Sequence, residues 1–480
     1  MKNILTTLLF ISFLPCYSQD GYTIKGKIKG LHDTVVYFGN HYGNKQYVKD
    51  TTRVDKDGNF VFKGNKKSDG GIYLIVLPSK KYFELIIDKE QNFSIETDTT
   101  LNMVEHMKVK SSEDNIAFYK YLNYISQKGK EKESVIKRIG KIREDSVAAA
   151  TTKKDSIKIL LDKTNAIDKD VESYKNNFIK EHPASFLSTI FKAQTDVVVP
   201  ETPLLPNGKK DSTFPYRYFK EHYWDNIPLS DDRILRTPIF HGKLKYYFDK
   251  VLMQHPDSII KESDILIGKT NGNKEMFKYI VWYMTLTYET SPIMGMDAVF
   301  VHQVEQYYVT KKAFWVDSIQ IQKVVHRGLT LKPLLLGKPA PPVIMQDSLD
   351  KNISLYEVKS KYTVLIFWDP DCGHCQKVLP KLKEAYDTKL KAKGVTVYSV
   401  DIEDMEDKWK KFIREKNMNF INVHDKYKQY YLRQLFDIYS TPVIYLLDEN
   451  KRIKAKRIDV DQLDGFIDHL EKVKELEKKK

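Results

Sequence analysis

From Gly21 to about Thr99, apolar residues recur at every second position. Tyr22, Ile24, Gly26 and Ile28 form one such run, and Val35 to Phe38 follow as another. Alternation of this kind predicts short β-strands. Asp57-Gly58-Asn59, set between Val54 and Phe60-Val61-Phe62, reads as a hairpin turn. Further strands are expected at Gly71–Leu77, Tyr82–Asp88 and Asn92–Thr97. Short strands so spaced predict a small antiparallel sandwich or barrel over residues 19–110. Asp55-Lys56-Asp57-Gly58 resembles the start of a calcium loop. Its glycine comes two residues too early and no glutamate closes it, so turn chemistry is the better reading.

The period changes over residues 111–335. Ile116, Tyr119, Leu122 and Ile125 are spaced for one helix face, as are Val135, Ile136, Ile139 and Ile142, then Ile157, Leu160 and Leu161. Lys and Glu fill the other faces, so amphipathic helices are predicted. Prolines 183, 200, 203, 206 and 215 mark a loop-rich middle. Helical spacing returns at Phe240–Leu252, Glu275–Tyr288 and Ala298–Tyr308. His302 and Glu305 share a face there as metal ligands can, but no second pair accompanies them, and a structural pair is expected.

Residues 336–480 alternate strand and helix. The apolar run Tyr362–Trp368 leads into a helix expected from Cys372 to about Ala392. Strands at Gly394–Val400 and Phe420–Val423 flank a helix at Met405–Lys416. Lys426–Phe436 reads as helical, Thr441–Leu447 and Arg452–Ile458 as a hairpin, and Asp461–Val473 as a final helix. This order implies a mixed sheet covered by helices. The fold class expected is therefore multidomain: an antiparallel β domain, an α-helical middle and a C-terminal α/β domain.

Length supports that division, since 480 residues exceed one ordinary core. The N-terminus has one lysine, an apolar stretch from Ile4 to Leu14, and small residues Cys16 and Ser18 before Gln19. That is the pattern of a secretory signal peptide over residues 1–18. Acylation of Cys16 would instead give a lipid anchor and membrane association, but Pro15 makes a poor lipobox. Export would place the protein in the periplasm or cell envelope, where disulfides persist. The net charge of +14 is spread among interleaved acids with no basic, aromatic-laced module, so no nucleic-acid partner is expected.

Of three cysteines, only Cys372 and Cys375 would remain in the mature chain, in Cys372-Gly373-His374-Cys375. At a strand-to-helix junction the helix terminus favours negative charge, so Cys372 would ionise more readily and attack. Cys375, one turn in, would resolve the mixed disulfide. Gly373 lets a partner chain approach, and His374 can place positive charge beside the sulfurs. A zinc site lacks further ligands, and haem attachment lacks a histidine after the second cysteine, where Gln376 stands. A two-residue loop constrains the unfolded chain little, so a structural disulfide is a weak alternative. No cofactor beyond the redox-active cysteine pair is expected.

These residues sit among others that carry a resemblance. Gly337-Lys338-Pro339-Ala340-Pro341, Phe367-Trp368 ahead of the cysteines, Pro380 five residues after Cys375, and Thr441-Pro442 together resemble the thioredoxin-like proteins of the TlpA/ResA type. The resemblance implies thiol-disulfide exchange with protein thiols and disulfides, and a cis-proline loop at Thr441-Pro442 that faces the cysteines and pairs with substrate. Upstream, the chain resembles more loosely the β and helical domains of unknown function that precede such modules in Bacteroidetes proteins. There are departures. Thioredoxins carry a buried aspartate where this chain has Ile366, and many TlpA/ResA-type proteins carry a glutamate where it has Val378. Both groups serve the resolving thiol, so its proton acceptor is unassigned. Asp369, Asp371 and Asp401 are candidates, with Asp369 read as a solvated loop carboxylate. The resemblance favours substrate reduction, whereas His374 favours oxidation or isomerisation. A thiol peroxidase on the same fold and a non-enzymatic envelope binding or assembly protein are the alternatives.

Overall fold

The computed structural model describes residues 21–99, 102–144, 150–403 and 405–479. The expected signal peptide and Cys16 lie outside them. The chain forms two compact units, one of residues up to 252 with 270–276, the other of 253–269 with 277–480.

In the first unit eight strands make two four-stranded sheets. They are β1 (Tyr22–Lys29), β2 (Thr34–Tyr42), β3 (Lys45–Val54), β4 (Asn59–Gly64), β5 (Gly71–Val76), β6 (Tyr82–Ile87), β7 (Asn92–Asp98) and β8 (Lys108–Lys110). The sheet orders are β4-β1-β7-β8 and β3-β2-β5-β6. All pairs are antiparallel except β1 with β7, which run parallel. The expected hairpin at Asp57-Gly58-Asn59 is not one: β3 and β4 belong to different sheets, so the turn crosses between layers. The Asp55 carboxylate builds it by accepting the N–H groups of Asp57 and Asn59, both at 2.8 Å. Gly58 supplies the positive φ of 84° that the turn requires.

Helices α1 (Glu113–Glu144) and α3 (Phe186–Gln194) contribute Phe118, Tyr121, Phe186 and Phe191 to the sandwich core, and α2 (Ala150–Glu181) packs Tyr174 and Phe178 against it. Helix α1 also closes the edge of β6. Asn115 accepts the Ile86 N–H at 2.8 Å and donates to the Ile86 carbonyl at 2.6 Å, replacing the missing strand. Tyr119 donates to the Glu84 carbonyl at 2.6 Å. α4 (Phe214–His222) and α5 (Phe240–Tyr246) follow.

α6 (Pro256–Gly268), α8 (Asp297–Gln303) and α9 (Ser318–Leu331) belong to the second unit, and α7 (Lys274–Glu289) lies between α6 and α8 in sequence. His302 pairs with Asp264 at 2.9 Å and Glu305 with Lys332 at 2.5 Å, so the two face separate partners. Among the described residues no cluster of three metal-ligating side chains occurs.

The rest of this unit is a seven-stranded sheet ordered β10-β9-β13-β12-β11-β14-β15. Its strands are β9 (Ile344–Asp347), β10 (Asn352–Ser354), β11 (Tyr362–Trp368), β12 (Val395–Asp401), β13 (Ile421–His424), β14 (Val443–Asp448) and β15 (Ile453–Lys456). β11, β12 and β13 are parallel neighbours, and β14 runs antiparallel to β11. β11 reads as a continuous apolar run because both faces are covered. Val364, Ile366 and Trp368 join one core and Leu365 and Phe367 the other. α10 (Cys375–Ala385) extends through irregular turns that end at Gly394, where φ is 76°. α11 (Glu406–Glu415) and α13 (Val460–Lys478) match their expected positions, but only Leu432–Leu435 (α12) is helical in the predicted helix at Lys426–Phe436. There the Asp425 carboxylate accepts the N–H groups of Gln429 and Tyr430 and holds the segment as a loop.

Candidate active site

The central strand β11 delivers Trp368 to its C-terminal end, fully buried, with its indole N–H donated to Ser399 Oγ at 2.8 Å. Four residues later comes Cys372. It lies in the turn ahead of α10 rather than as the helix's first residue, yet the helical hydrogen bonds begin from it. Its carbonyl accepts the Gln376 N–H at 3.1 Å, and its Sγ accepts the Cys375 N–H at 3.2 Å. Cys372 thus caps the helix with sulfur, where a serine or aspartate would use oxygen. An anionic sulfur is favoured at that position.

Thr441-Pro442 is a cis peptide, and it brings the Thr441 carbonyl to 3.4 Å from Cys372 Sγ. Both cysteines are free thiols, Cys372 partly exposed and Cys375 buried. Burial opposes ionisation of Cys372. Hydrogen bonds from the Cys375 thiol, from the Thr441 hydroxyl and from the backbone N–H groups of Cys375 and His374 outweigh it and hold the thiol below its ordinary value. For Cys375, burial and the Cys372 sulfur push the thiol up to about 12, against a hydrogen bond from the Asp369 backbone. Ile366, Leu379 and Val378 pack in the same cluster as Cys375. Apolar side chains therefore occupy both positions where related proteins carry a carboxylate.

The three acidic candidates separate clearly. Asp369 is half-buried and accepts the Asp371 N–H at 2.7 Å. Asp371 is exposed and pairs with Lys408 at 2.6 Å, which offsets its charge beside Cys372. Asp401 alone is buried, 1% exposed, at the end of β12 opposite Trp368. Burial, reinforced by the charges of Asp369 and Glu403, pushes its acid up to about 8. His374 and Gly373 are exposed beside the cysteines, and His374 lines a groove with Val378 and Pro442. Sequence reading missed His424, which the pairing of β12 with β13 sets directly beside Asp401. Nothing in their spacing along the chain signals that neighbour.

Comparison with known proteins finds family matches in three stretches of the chain. Residues 336–456 match the AhpC/TSA family, residues 22–118 a domain of unknown function (DUF4369), and residues 162–328 another (DUF5106). The thiol-disulfide oxidoreductase ResA of Bacillus cereus is 29% identical over 135 residues, 28% of this chain and 76% of that protein. ResA of Bacillus subtilis is 28% identical over 120 residues, 25% of this chain and 65% of its own length. Among solved structures, a domain of a possible thiol-disulfide isomerase from Cytophaga hutchinsonii is 44% identical, covering 30% of this chain and 99% of that one, with a TM-score of 0.29. A thioredoxin-like protein from Bacteroides caccae is 22% identical, covering 56% of this chain and 98% of that one, with a TM-score of 0.44. The chain is a thioredoxin-like thiol-disulfide oxidoreductase of the TlpA/ResA type, with additional N-terminal domains.

Proposed function

We propose that this protein is an exported catalyst of thiol-disulfide exchange with protein substrates, that Cys372 and Cys375 are its redox pair in a domain of residues 336–480, and that it works as a reductant. The observation that carries the reading is the asymmetry of the two thiols. Cys372 is partly exposed and held below its ordinary pKa, while Cys375 is buried and held far above it. The thiolate of Cys372 attacks one sulfur of a substrate disulfide. The S–S bond breaks, one substrate thiolate leaves and takes a proton from solvent, and a Cys372–substrate disulfide forms. Cys375 gives up its proton and attacks Cys372 Sγ, and the second substrate thiolate leaves and is protonated in turn. The substrate has gained two electrons and two protons, and the pair is left as a disulfide for another dithiol to reduce.

What stabilises the sulfur supports the reducing direction. A strongly oxidising pair owes its potential to a strongly stabilised thiolate. Here the leading stabilising groups are hydrogen-bond donors, with no side-chain cation among them. Thr441 and Pro442 would orient the substrate chain, with Gly373 leaving room for it. Export rests on the N-terminal pattern of Lys2, the apolar stretch to Leu14 and Ser18. Among the described residues no helix is long and apolar enough to cross a membrane.

The test is trapping in cell envelopes with Cys375→Ser in the full chain. Mixed disulfides through Cys372 are expected, together with insulin reduction by the wild type. Absence of both would overturn the reading.

A further inference from the structure

Helix α9 and the redox sheet belong to the same compact unit, and α9 reaches the loop that faces the cysteines. The segment from Phe436 to Thr441, between α12 and β14, carries that loop. Its anchor is Asp437, 5% exposed, whose carboxylate is held by two arginines. Arg327 on α9 binds it with both nitrogens of its guanidinium fork, the longer bond at 3.2 Å. Arg457 donates to the same carboxylate at 3.0 Å and to the Asp437 carbonyl at 2.6 Å. The Arg327 guanidinium also lies over the Tyr439 ring, 5.0 Å from its centroid. One side chain from α9 thus grips both Asp437 and Tyr439. Two residues further on, the Thr441 carbonyl stands 3.4 Å from Cys372 Sγ.

The position of the loop depends on this grip for two reasons. Asp437 has a φ of 53°, in the left-handed region that a residue with a side chain keeps only where its surroundings hold it. That turn aims the chain from α12 toward Thr441. Arg327, Asp437, Tyr439 and Arg457 also line a cavity of about 530 Å³, so dense packing does not wedge the segment in place on that side. A bidentate arginine pair fixes direction as well as distance, which a point charge does not. A second, comparably buried ion pair joins Lys456 on β15 to Asp297 on α8. Its lysine donates to the Leu334 carbonyl at 2.9 Å rather than to the loop.

We propose that Arg327 is a positioning residue for polypeptide substrates: through Asp437 and Tyr439 it sets the Thr441-Pro442 loop where the chain flanking the substrate disulfide is paired. The inference rests on the exchange reaction described above. Arg327 acts only through the loop, so the sulfur chemistry at Cys372 is the same with or without it. A substrate with a main chain to lay along the loop depends on Arg327. A small disulfide with no such chain is indifferent to it. Helix α9 thereby takes a part in substrate selection, although it supplies no group to the sulfurs.

The experiment uses the reduced full-length protein and two mixed disulfides of thionitrobenzoate. One is formed with a neutral nonapeptide that has a central cysteine, the other with mercaptoethanol. The Cys372 thiolate attacks the peptide or mercaptoethanol sulfur, the S–S bond breaks, and thionitrobenzoate, the better leaving thiolate, departs and gives the rate by its colour. The wild type should favour the peptide. Arg327→Met keeps an apolar stem without the charge and should lower the peptide-to-mercaptoethanol rate ratio about tenfold. Asp437→Asn keeps the size and tolerates the positive φ, and should lower the ratio in the same direction. Lys456→Met removes the comparable pair and should leave the ratio unchanged. Because the readout is a ratio between two substrates of one protein sample, it is independent of the fraction of folded variant and of the ionisation of Cys372. A role in stability alone does not move it. A ratio unchanged in Arg327→Met, an equal fall in Lys456→Met, or a wild type without preference for the peptide would overturn the positioning role and leave the exchange reaction standing. A wild type that reacts with neither disulfide would count against the exchange reaction itself, and the proposal with it.

Discussion

Strands β5 and β11 are both short apolar runs, buried almost throughout. Their surroundings differ. Around β5 the sheet is closed: Asn115 satisfies both backbone groups of Ile86 on the neighbouring edge strand, and Gln91 bonds to Ser68 and Asp88. Among the described residues of the sandwich strands, no buried side-chain polar atom lacks a partner. Around β11 the sheet rim carries Asp401, His424 and the two thiols, and both Asp401 and His424 keep an unpaired atom. Pairing every buried polar group makes a region stable and chemically quiet, whereas the sheet rim that carries the thiols keeps some buried polar groups unpaired.

The sharpest way to break this comparison is at the sulfurs. Cys372→Ser should lower disulfide reduction by at least about a thousandfold. Its thermal midpoint should stay within about 2 °C of the wild type, because the cap remains a hydroxyl. A variant that kept a tenth of the activity would move the chemistry away from this rim.

The thiols themselves should differ by orders of magnitude. Iodoacetamide should label Cys372 with an apparent pKa below 9, so its rate levels off as pH rises past that point. In Cys372→Ser, where the Cys372 sulfur no longer contributes, burial should still hold Cys375 above its ordinary value, so its labelling should level off only above pH 9. Comparable rates at pH 8 would remove the asymmetry on which the two roles depend.

The closed region is tested by Asn115→Ala. It strips both partners from Ile86 and should cost about 2–4 kcal/mol in urea unfolding. Turnover per folded molecule should not change.

A smaller effect concerns Asp401. Its folded acid sits near 8 against an ordinary value of 3.8. Between those limits the unfolded chain releases this proton and the folded chain keeps it, so stability falls as pH rises through the window. Asp401→Asn removes that fall. Its stability relative to wild type should rise by about 1–3 kcal/mol from pH 4 to pH 8, measured by urea unfolding at several pH values. A difference constant with pH would mean an ordinary carboxyl.

The smallest effect is expected at the exposed Asp371–Lys408 pair. Lys408→Ala frees a negative charge near Cys372 and should slow its alkylation by no more than about twofold at moderate salt.

How far each region could be read in advance follows from the range of the interactions that build it. β11 was legible to the residue, because seven consecutive positions, apolar at all but Thr363, between a polar turn and a helix signal admit few other conformations. β8, β9 and β10 are three or four residues long and largely polar, and they exist only because a neighbouring strand offers them hydrogen bonds. The turn at Asp55–Asn59 was recognised as a turn but assigned to the wrong pairing. Its local hydrogen bonds are identical whether the chain folds back beside β3 or crosses to another sheet. Helical spacing in Lys426–Phe436 was real but lost to the Asp425 side chain, which captured the backbone N–H groups first.

By itself the sequence determined the local chemistry. It placed Cys372, Gly373, His374 and Cys375 between an apolar strand and a helix, put Thr441-Pro442 ahead of another strand, and left Ile366 and Val378 without carboxylates. Those facts depend on neighbours along the chain. Only the tertiary structure separated Asp401 from Asp369 and Asp371, three acids that look alike in a linear reading. Burial and parallel strand pairing gave Asp401 a raised acid, a cavity and His424 as companion. A carboxyl's ionisation is set by the water and charge around it in space, and residues 369, 401 and 424 meet only when the sheet has formed.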